Sequence, residues 1–343
     1  RDTDRSRGLG DVYKRQDPIL GRVKLIAEAW DAGGLYQVGS FPAWNRWSEW
    51  NGRFRDDLRC FLKGDYGMAQ AAIERILGSA DLYSPENRGE NATVNFLNCH
   101  DGFTLYDMYA YNWKHNEKNG WNNTDGDNNN NSWNCGEEGE SMNPEVLALR
   151  NRMRKNSFAV LMCSRGAAMF LAGDEFCNTQ FGNNNAYCQD NEISWIDWSR
   201  KEQYSEMFEF CKFMIQLRKE HPILRGRSGP SGCGFPEVSV HNSKAWNAEC
   251  NQDTHTIGVM FAGRNASNTE DDIIYIGVNT FWEYCDIELP KLPLGRKWKV
   301  LVNTEFEHTQ DVDYDLLTRR KSDILLTMCP RSVLVARVEK YFE

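Results

Sequence analysis

Apolar positions along this chain fall into two textures. From Asp17 to about Leu224, short apolar runs alternate with stretches whose apolar residues recur at helical spacing, the pattern of βα units around a parallel sheet. Four strands are predicted: 22–28, a weaker one near 44–51, "ATVNFLNCHD" at 92–101, and "AAMFLAGDEF" at 167–176. Helices are predicted between them. "GMAQAAIERILGS" (67–79) has the helical period, and "NPEVLALRNRMRKNSFAVLMCS" opens with Asn143 as N-cap, Pro144 at the first helical position and Glu145 in the first turn. "MFEFCKFMIQLRKEHPIL" (207–224) closes the series, with Pro222 ending it. From about Gly232 the runs become short and often alternating, as in "VSVHNSKAW", "THTIGVMFAG", "DIIYIGVNT" and "SVLVARVE", with turn residues between them. That pattern predicts an antiparallel β domain, a sandwich. The expected division is therefore an α/β part over 17–230 and an all-β part over 231–343.

Composition narrows the partners. The chain has 343 residues, 41% hydrophobic and 26% charged, enough to bury a sizeable core. A formal net charge of −9 argues against nucleic acid or an anionic membrane as partner, since both would repel it. No apolar stretch reaches ~18 residues, so no membrane span is expected. Eleven cysteines make an odd number and none has C-x-x-C spacing, so a zinc or redox site is not indicated. Free thiols in that number fit a reducing cytoplasm. Residues 1–16 contain no apolar segment of the signal-peptide kind.

The segment 111–141, "YNWKHNEKNGWNNTDGDNNNNSWNCGEEGES", is long, asparagine-rich and without periodicity. Loops of this length are uncommon unless functional or disordered. Trp113, Trp121 and Trp133 count against disorder, which is poor in aromatics. An ordered loop over a ligand cleft is the expectation.

In parallel βα barrels the chemistry gathers at the C-terminal ends of the strands. Three predicted strands end in acids: Glu28, Asp101 beside His100, and Asp174-Glu175. One such acid is ordinarily a helix cap or an ion-pair partner. Three on neighbouring strands point to one cleft. Carboxylates, tryptophans and amides without a metal cluster suit carbohydrate, whose hydrolysis uses a pair of carboxyl groups.

Four stretches, "IAEAWDAGGLYQVGSFPAWNRWSEWNGRFRD", "NFLNCHDGFTLYDMYAYNWKHNEKNG", "SWNCGEEG" and "LAGDEFCNTQFGNNNAYCQDNEISWIDW", closely resemble the isoamylase-type glycogen debranching enzymes of the α-amylase superfamily, glycoside hydrolase family 13. The resemblance is dense from Asp17 to about Leu224 and weaker beyond. It implies hydrolysis of α-1,6-glucosidic branches in glycogen or amylopectin by a retaining mechanism without an organic cofactor. Calcium, bound by some relatives, is left open, with no D-x-D-x-D-G loop to support it. By this resemblance Glu28 is the general acid, and Asp101 holds the sugar hydroxyls and stabilises the oxocarbenium-like transition state. His100, Trp30, Asp31, Asn185, Tyr187 and Asp190 contact the glucan. Burial after an apolar strand, beside Trp30, is expected to help Glu28 keep its proton.

The family's nucleophilic Asp ends a strand upstream of the acid, after a Phe-Arg-x-Asp pattern, and only 27 residues precede Glu28. "FRDD" at 54–57 fits that spelling, yet it follows Glu28 and is polar with no apolar strand leading in, so Asp57 is rejected as nucleophile. The resemblance thus implies the second half of a (β/α)8 TIM barrel, four βα units, followed by the sandwich. Residues 1–16 are expected to be a leader foreign to the family. A half-barrel is expected to leave the strand carrying Glu28 as an open edge and to be inactive alone. Two rival readings are a glucan-binding remnant without catalysis and another α-amylase-superfamily activity, branching or α-1,4-acting.

Overall fold

A computed structural model describes residues 17–340 except 32, 42–46, 85, 87 and 227. The expected leader at 1–16 and the start of the second predicted strand lie outside the described residues.

The first half is built on a four-stranded parallel sheet in sequential order: β1 (Leu25–Ala27), β2 (Trp47–Trp50), β3 (Thr93–Asn95) and β4 (Ala167–Ala168). Register pairs Leu25 with Trp47, Glu49 with Thr93, and Val94 with Ala167. Among the described residues β1 pairs only with β2 and so lies at the edge of the sheet, with Ile26 half exposed.

Two predicted strands are much shorter than the apolar runs that suggested them. β3 stops at Asn95, although residues 92–99 stay buried, so the run reported burial rather than extended backbone. His100 and Asp101 therefore lie in a loop, not at a strand tip. β4 stops at Ala168, because Gly173 turns the chain at φ 97° and the Asp174 carboxylate accepts the Leu171 N–H at 3.2 Å. Such side-chain-to-backbone bonds compete with ladder bonds. Asp174 and Glu175 accordingly sit in a 3-10 turn, Asp174–Phe176.

Helix α1 (Gly52–Lys63) occupies the stretch that read as polar. Phe54, Leu58, Phe61 and Leu62 recur at i, i+4, i+7 and i+8 and are buried. Asn51 caps the start, its Oδ1 accepting the Phe54 N–H at 2.9 Å, and Gly64 at φ 94° stops the end. Asp57 lies within this helix, 3.3 Å from Arg75 Nε, in the setting of an ion pair. Further helices are α2 (Ala69–Ile76), α3 (Leu105–Met108), α4 (Pro144–Cys163), α5 (Arg200–Gln203) and α6 (Ser205–Glu220). Asn143 caps α4 as expected, accepting the Glu145 N–H at 3.0 Å.

The second half is antiparallel. A five-stranded sheet has the order β5 (Val238–His241), β6 (Thr256–Arg264), β7 (Asp271–Asn279), β12 (Ser332–Lys340), β9 (Arg296–Asn303). A three-stranded sheet has the order β10 (Arg319–Arg320), β11 (Leu325–Met328), β8 (Cys285–Glu288), and a short helix α7 (Tyr314–Leu317) leads into β10. Alternation along β7 divides two cores. Ile273 and Tyr275 join Ile287, Trp298, Leu326 and Met328 between the sheets, while Ile274, Ile276 and Val278 join the cluster that includes Phe54, Met153 and Phe158. The central strands are thus covered on both faces, which is why "DIIYIGVN" reads as a continuous apolar run.

Candidate active site

Loops following the four parallel strands enclose a cleft of about 460 Å³. Two larger hollows, about 790 and 720 Å³, lie elsewhere, one between α6 and β9 and one around Trp298. The smaller cleft is the candidate because the β1, β3 and β4 loops meet there and because it holds carboxylates, guanidinium groups and amides together.

Trp30 and Asp31 come from the loop after β1. Trp30 stacks on Tyr36 at 6.1 Å and leans on Trp50 and Phe96 at 6.5 Å, so its ring is fixed from several sides. Asp31 folds its own turn, with Oδ1 accepting the N–H groups of Gly33 at 2.8 Å and Leu35 at 3.1 Å. The β3 loop brings Asp101, exposed, with His100 Nε2 3.5 Å from its Oδ2 and the His100 ring edge-on to Trp50 at 5.7 Å. Helix α1 contributes Arg55 and Arg59. Arg59 is buried and donates to the Leu97 carbonyl at 2.9 Å and the Asn130 carbonyl at 2.9 Å, tying the helix to both neighbouring loops. Burial pushes its pKa down to about 10, still well above neutral, so it stays charged.

The far wall is made by the long loop, which is threaded with hydrogen bonds. Asn116 and Asn184, both buried, exchange bonds: Asn116 Nδ2 donates to Asn184 Oδ1 at 2.8 Å, and the Asn184 N–H donates to Asn116 Oδ1 at 3.0 Å. Asn184 Nδ2 also donates to Asn130 Oδ1 at 2.8 Å and to the Asp127 carbonyl at 2.7 Å. Its carbonyl accepts the Gly102 N–H at 2.9 Å, reaching the β3 loop. Asn119 and Asn185 both donate to Asp125 Oδ2 at 2.8 Å. Desolvation pushes the Asp125 carboxyl up, but these amide donors carry it below the usual carboxylate range. At Gly126 (φ 73°) a Cβ would stand 2.3 Å from Asn184 Oδ1, so only glycine lets the loop close on the network.

Behind the cleft, two buried carboxylates brace the loops. Asp107 of α3 accepts Thr179 Oγ1 at 2.5 Å and the Gln180 N–H at 2.8 Å, while Asp174 accepts the Leu105 N–H at 2.8 Å. Each loop is therefore held by an acid from the other. Burial raises Asp107 to about 6 and Asp174 to about 7.

Of the residues that the sequence singled out, Trp30, Asp31, Asp101 and Asn185 line this cleft. His100 flanks it through Asp101. Glu28 follows β1 directly, as expected, but it is exposed and outside the cleft lining. The burial expected to keep its proton is thus absent. Tyr187 is exposed, its hydroxyl 3.3 Å from Trp121 Nε1, and Asp190 accepts Trp195 Nε1 at 3.1 Å. These two belong to an outward aromatic rim rather than to the cleft. Tyr36, Arg55, Arg59, Asn130 and Asn184 were missed. The runs "NNNN" and "NNNAY" carried the signal for the asparagines, whereas nothing local marks the two arginines as cleft residues. Among the described residues no group of three or more His, Cys, Asp or Glu could hold a metal ion, and no helix is long and apolar enough to cross a membrane.

No family model matches the chain. Maize isoamylase SU1, chloroplastic, is 42% identical over 313 residues, covering 91% of this chain and 38% of that protein. A Mycobacterium tuberculosis glycogen operon protein GlgX homolog is 48% identical over 227 residues, 66% of this chain and 31% of that protein. The Haemophilus influenzae GlgX homolog is 39% identical over 302 residues, with 84% and 43% covered. The chain thus spans 31% to 43% of the length of these relatives. The solved pullulanase from Bacillus acidopullulyticus superposes with a TM-score of 0.62 over 97% of this chain and 36% of that one, at 17% identity. A Paenibacillus barengoltzii pullulanase in complex with maltohexaose and α-cyclodextrin gives 0.62 at 19% identity, over 95% and 45%. At such identities the likeness speaks for fold: an α/β part joined to a β-sandwich.

Proposed function

Because the chain belongs with the isoamylase-type glycogen debranching enzymes, we propose that it acts on branched α-glucan as part of a retaining α-1,6-glucosidase. The observation that carries this reading is the meeting of Trp30, Asp31, Asp101 and Asn185 around one cleft in such a chain. In this reading the four βα units are the second half of a (β/α)8 barrel over 17–230, and 231–343 is the sandwich. Glu28 gives its proton to the bridging oxygen as the C1–O bond breaks, and Asp101 holds hydroxyls of the distorted ring while positive charge develops at C1. Trp30 offers the ring a stacking face, and His100 and Asn185 hold hydroxyls. Asp31 shapes the turn beneath, and Tyr187 and Asp190 guide the chain along the rim. No cofactor is called for, and eleven free thiols fit a cytoplasmic setting.

Retention requires a second carboxyl about 5–5.5 Å from the acid. Asp57, on α1, is engaged with Arg75 of α2, and Asp31 with its own turn. We therefore propose that this chain alone binds glucan without turning it over. The exposure of Glu28, together with outward-facing Trp113, Trp121, Trp195 and Trp198, favours the same second reading, glucan binding without catalysis. The test compares amylopectin hydrolysis by this chain with hydrolysis by a fusion carrying the amino-terminal remainder of maize isoamylase SU1. Branch release by the fusion only, lost on Glu28→Gln, is expected. Release by the chain alone overturns the inactivity, and cleavage restricted to linear α-1,4 glucan overturns the linkage assignment.

A further inference from the structure

None of the cleft residues takes part in a second aromatic cluster, built where three loops from both halves of the molecule converge. Tyr66, in the turn after α1, and Trp282, between β7 and β8, are each more than half exposed. Beneath them lies His255, which precedes β6 and is 94% buried by its 6% exposure. Its ring meets Tyr66 edge-on at 5.2 Å, Phe281 at 5.6 Å and Trp282 at 6.3 Å, and Trp282 packs on Phe281 at 4.0 Å. The loops are pinned by backbone bonds: Gly67 N–H to the Gln252 carbonyl at 2.9 Å, Thr280 N–H to the His255 carbonyl at 2.9 Å, and Arg331 N–H to the Phe281 carbonyl at 2.9 Å. Arg331 also donates to the Lys63 carbonyl at 3.0 Å, locking the turn that carries Tyr66.

One atom in this cluster has no partner. His255 Nδ1 faces Thr280 Oγ1 at 3.4 Å, but Nε2 is buried and unsatisfied. Buried polar atoms are nearly always hydrogen-bonded, and an orphan costs stability unless something completes it. Burial and the nearby Arg331 charge push this histidine's pKa down. A buried imidazole nitrogen beneath two exposed rings suits a partner that carries hydroxyl groups and has flat C–H faces to lie on aromatics. Linked sugars have that chemistry.

We propose that Tyr66, Trp282 and His255 form a second α-glucan-binding site, a short platform that holds a malto-oligosaccharide segment away from the cleft. The identity of the ligand rests on the glucan reading above. A branched polymer offers many chain ends, so a second hold raises the effective concentration of branches at the cleft without adding any contact there. The rings of Tyr66 and Trp282 take the sugar faces, and a hydroxyl that enters between them completes Nε2.

The test is titration calorimetry of the 343-residue chain with maltohexaose, on the wild type, on Tyr66→Ala/Trp282→Ala and on Asp101→Ala. Both platform rings are largely exposed, so the double variant is expected to keep its melting temperature, and Trp282→Phe is expected to retain binding. Two sites are expected in the wild type, with the platform site weakened at least about tenfold in the double variant and undisturbed in Asp101→Ala. Unchanged stoichiometry and affinity in Tyr66→Ala/Trp282→Ala overturns the platform while leaving the glucan reading in place. Absence of any maltohexaose binding by the wild type overturns both.

Discussion

Asp174 offers a quantitative test of how the loops around the cleft are held. Its carboxyl is buried, accepts the N–H groups of Leu105 at 2.8 Å and Leu171 at 3.2 Å, and is raised by desolvation from 3.8 to about 7. A carboxyl that binds its proton more tightly when folded adds stability below its unfolded pKa and loses it as pH rises through the folded one. For Asp174 the loss runs from about pH 4 to about pH 7, and between pH 5 and pH 8 linkage puts it at about 2.5 kcal/mol. Asp174→Asn removes the titration but keeps one acceptor oxygen. Its NH₂ group meets the other N–H head-on, which costs about 1–2 kcal/mol. The variant should therefore be less stable than wild type at pH 5 by about 1–2 kcal/mol and reach or pass it at pH 8. Urea unfolding followed by tryptophan fluorescence at the two pH values gives the difference directly. Asp107, raised by burial to about 6, titrates in both proteins, and its charge adds to the causes that raise Asp174. If the gap between variant and wild type is the same at pH 5 and pH 8, Asp174 is not a buried carboxyl that desolvation keeps protonated, and the reasoning fails.

Other expectations follow from single contacts. Arg59→Met leaves the carbonyls of Leu97 and Asn130 buried without their donor, and should destabilise by about 2–4 kcal/mol in the same unfolding assay. Asn184→Ala removes the side-chain hub that joins Asn116, Asn130 and the Asp127 carbonyl; it should cost about 2–3 kcal/mol and speed proteolysis within 111–141, read by limited trypsin digestion and mass spectrometry. Gly166→Ala would place a Cβ 2.5 Å from Thr93 Cγ2 at φ 115°, against the β3–β4 pairing, so soluble expression should fall sharply. Phe61→Ala, in the core beneath α1, should cost about 3–5 kcal/mol by urea unfolding.

The pattern of apolar residues made the order of the elements legible but not their extent, and the difference has one physical origin. An apolar run reports burial, and burial is shared by strands, turns and loops that pack against a core. "ATVNFLNCHD" is buried from Ala92 to Cys99, yet only Thr93–Asn95 is paired. Beyond Asn95 the backbone is fixed by Arg59 on the Leu97 carbonyl and by Asn98 Nδ2 on the Phe103 carbonyl at 2.7 Å, partners far apart in sequence or out of register with any ladder. Conversely "NGRFRDD" looked polar because its charges are adjacent in sequence, while the apolar residues of the helix it opens sit on one face of α1. Counting at i, i+4, i+7 and i+8 exposes that face. Caps were more legible than lengths, since a cap is a local bond: Asn143 was readable because Pro144 and Glu145 follow it at once. The cleft divides the same way. Asp101 could be found because it lies in the loop after a strand, where the topology sends it to one end of the sheet, whereas Trp30 and Asp31 were marked by the family resemblance. Arg55 and Arg59 could not, because their place depends on which way α1 rolls against β3, and that is set by Phe54 and Leu58 filling the core rather than by any property of the arginines. Glu28 shows the limit from the other side. Its position at the tip of β1 was readable, but its exposure was not, because burial of a strand-end side chain depends on what packs over it and not on the strand that carries it.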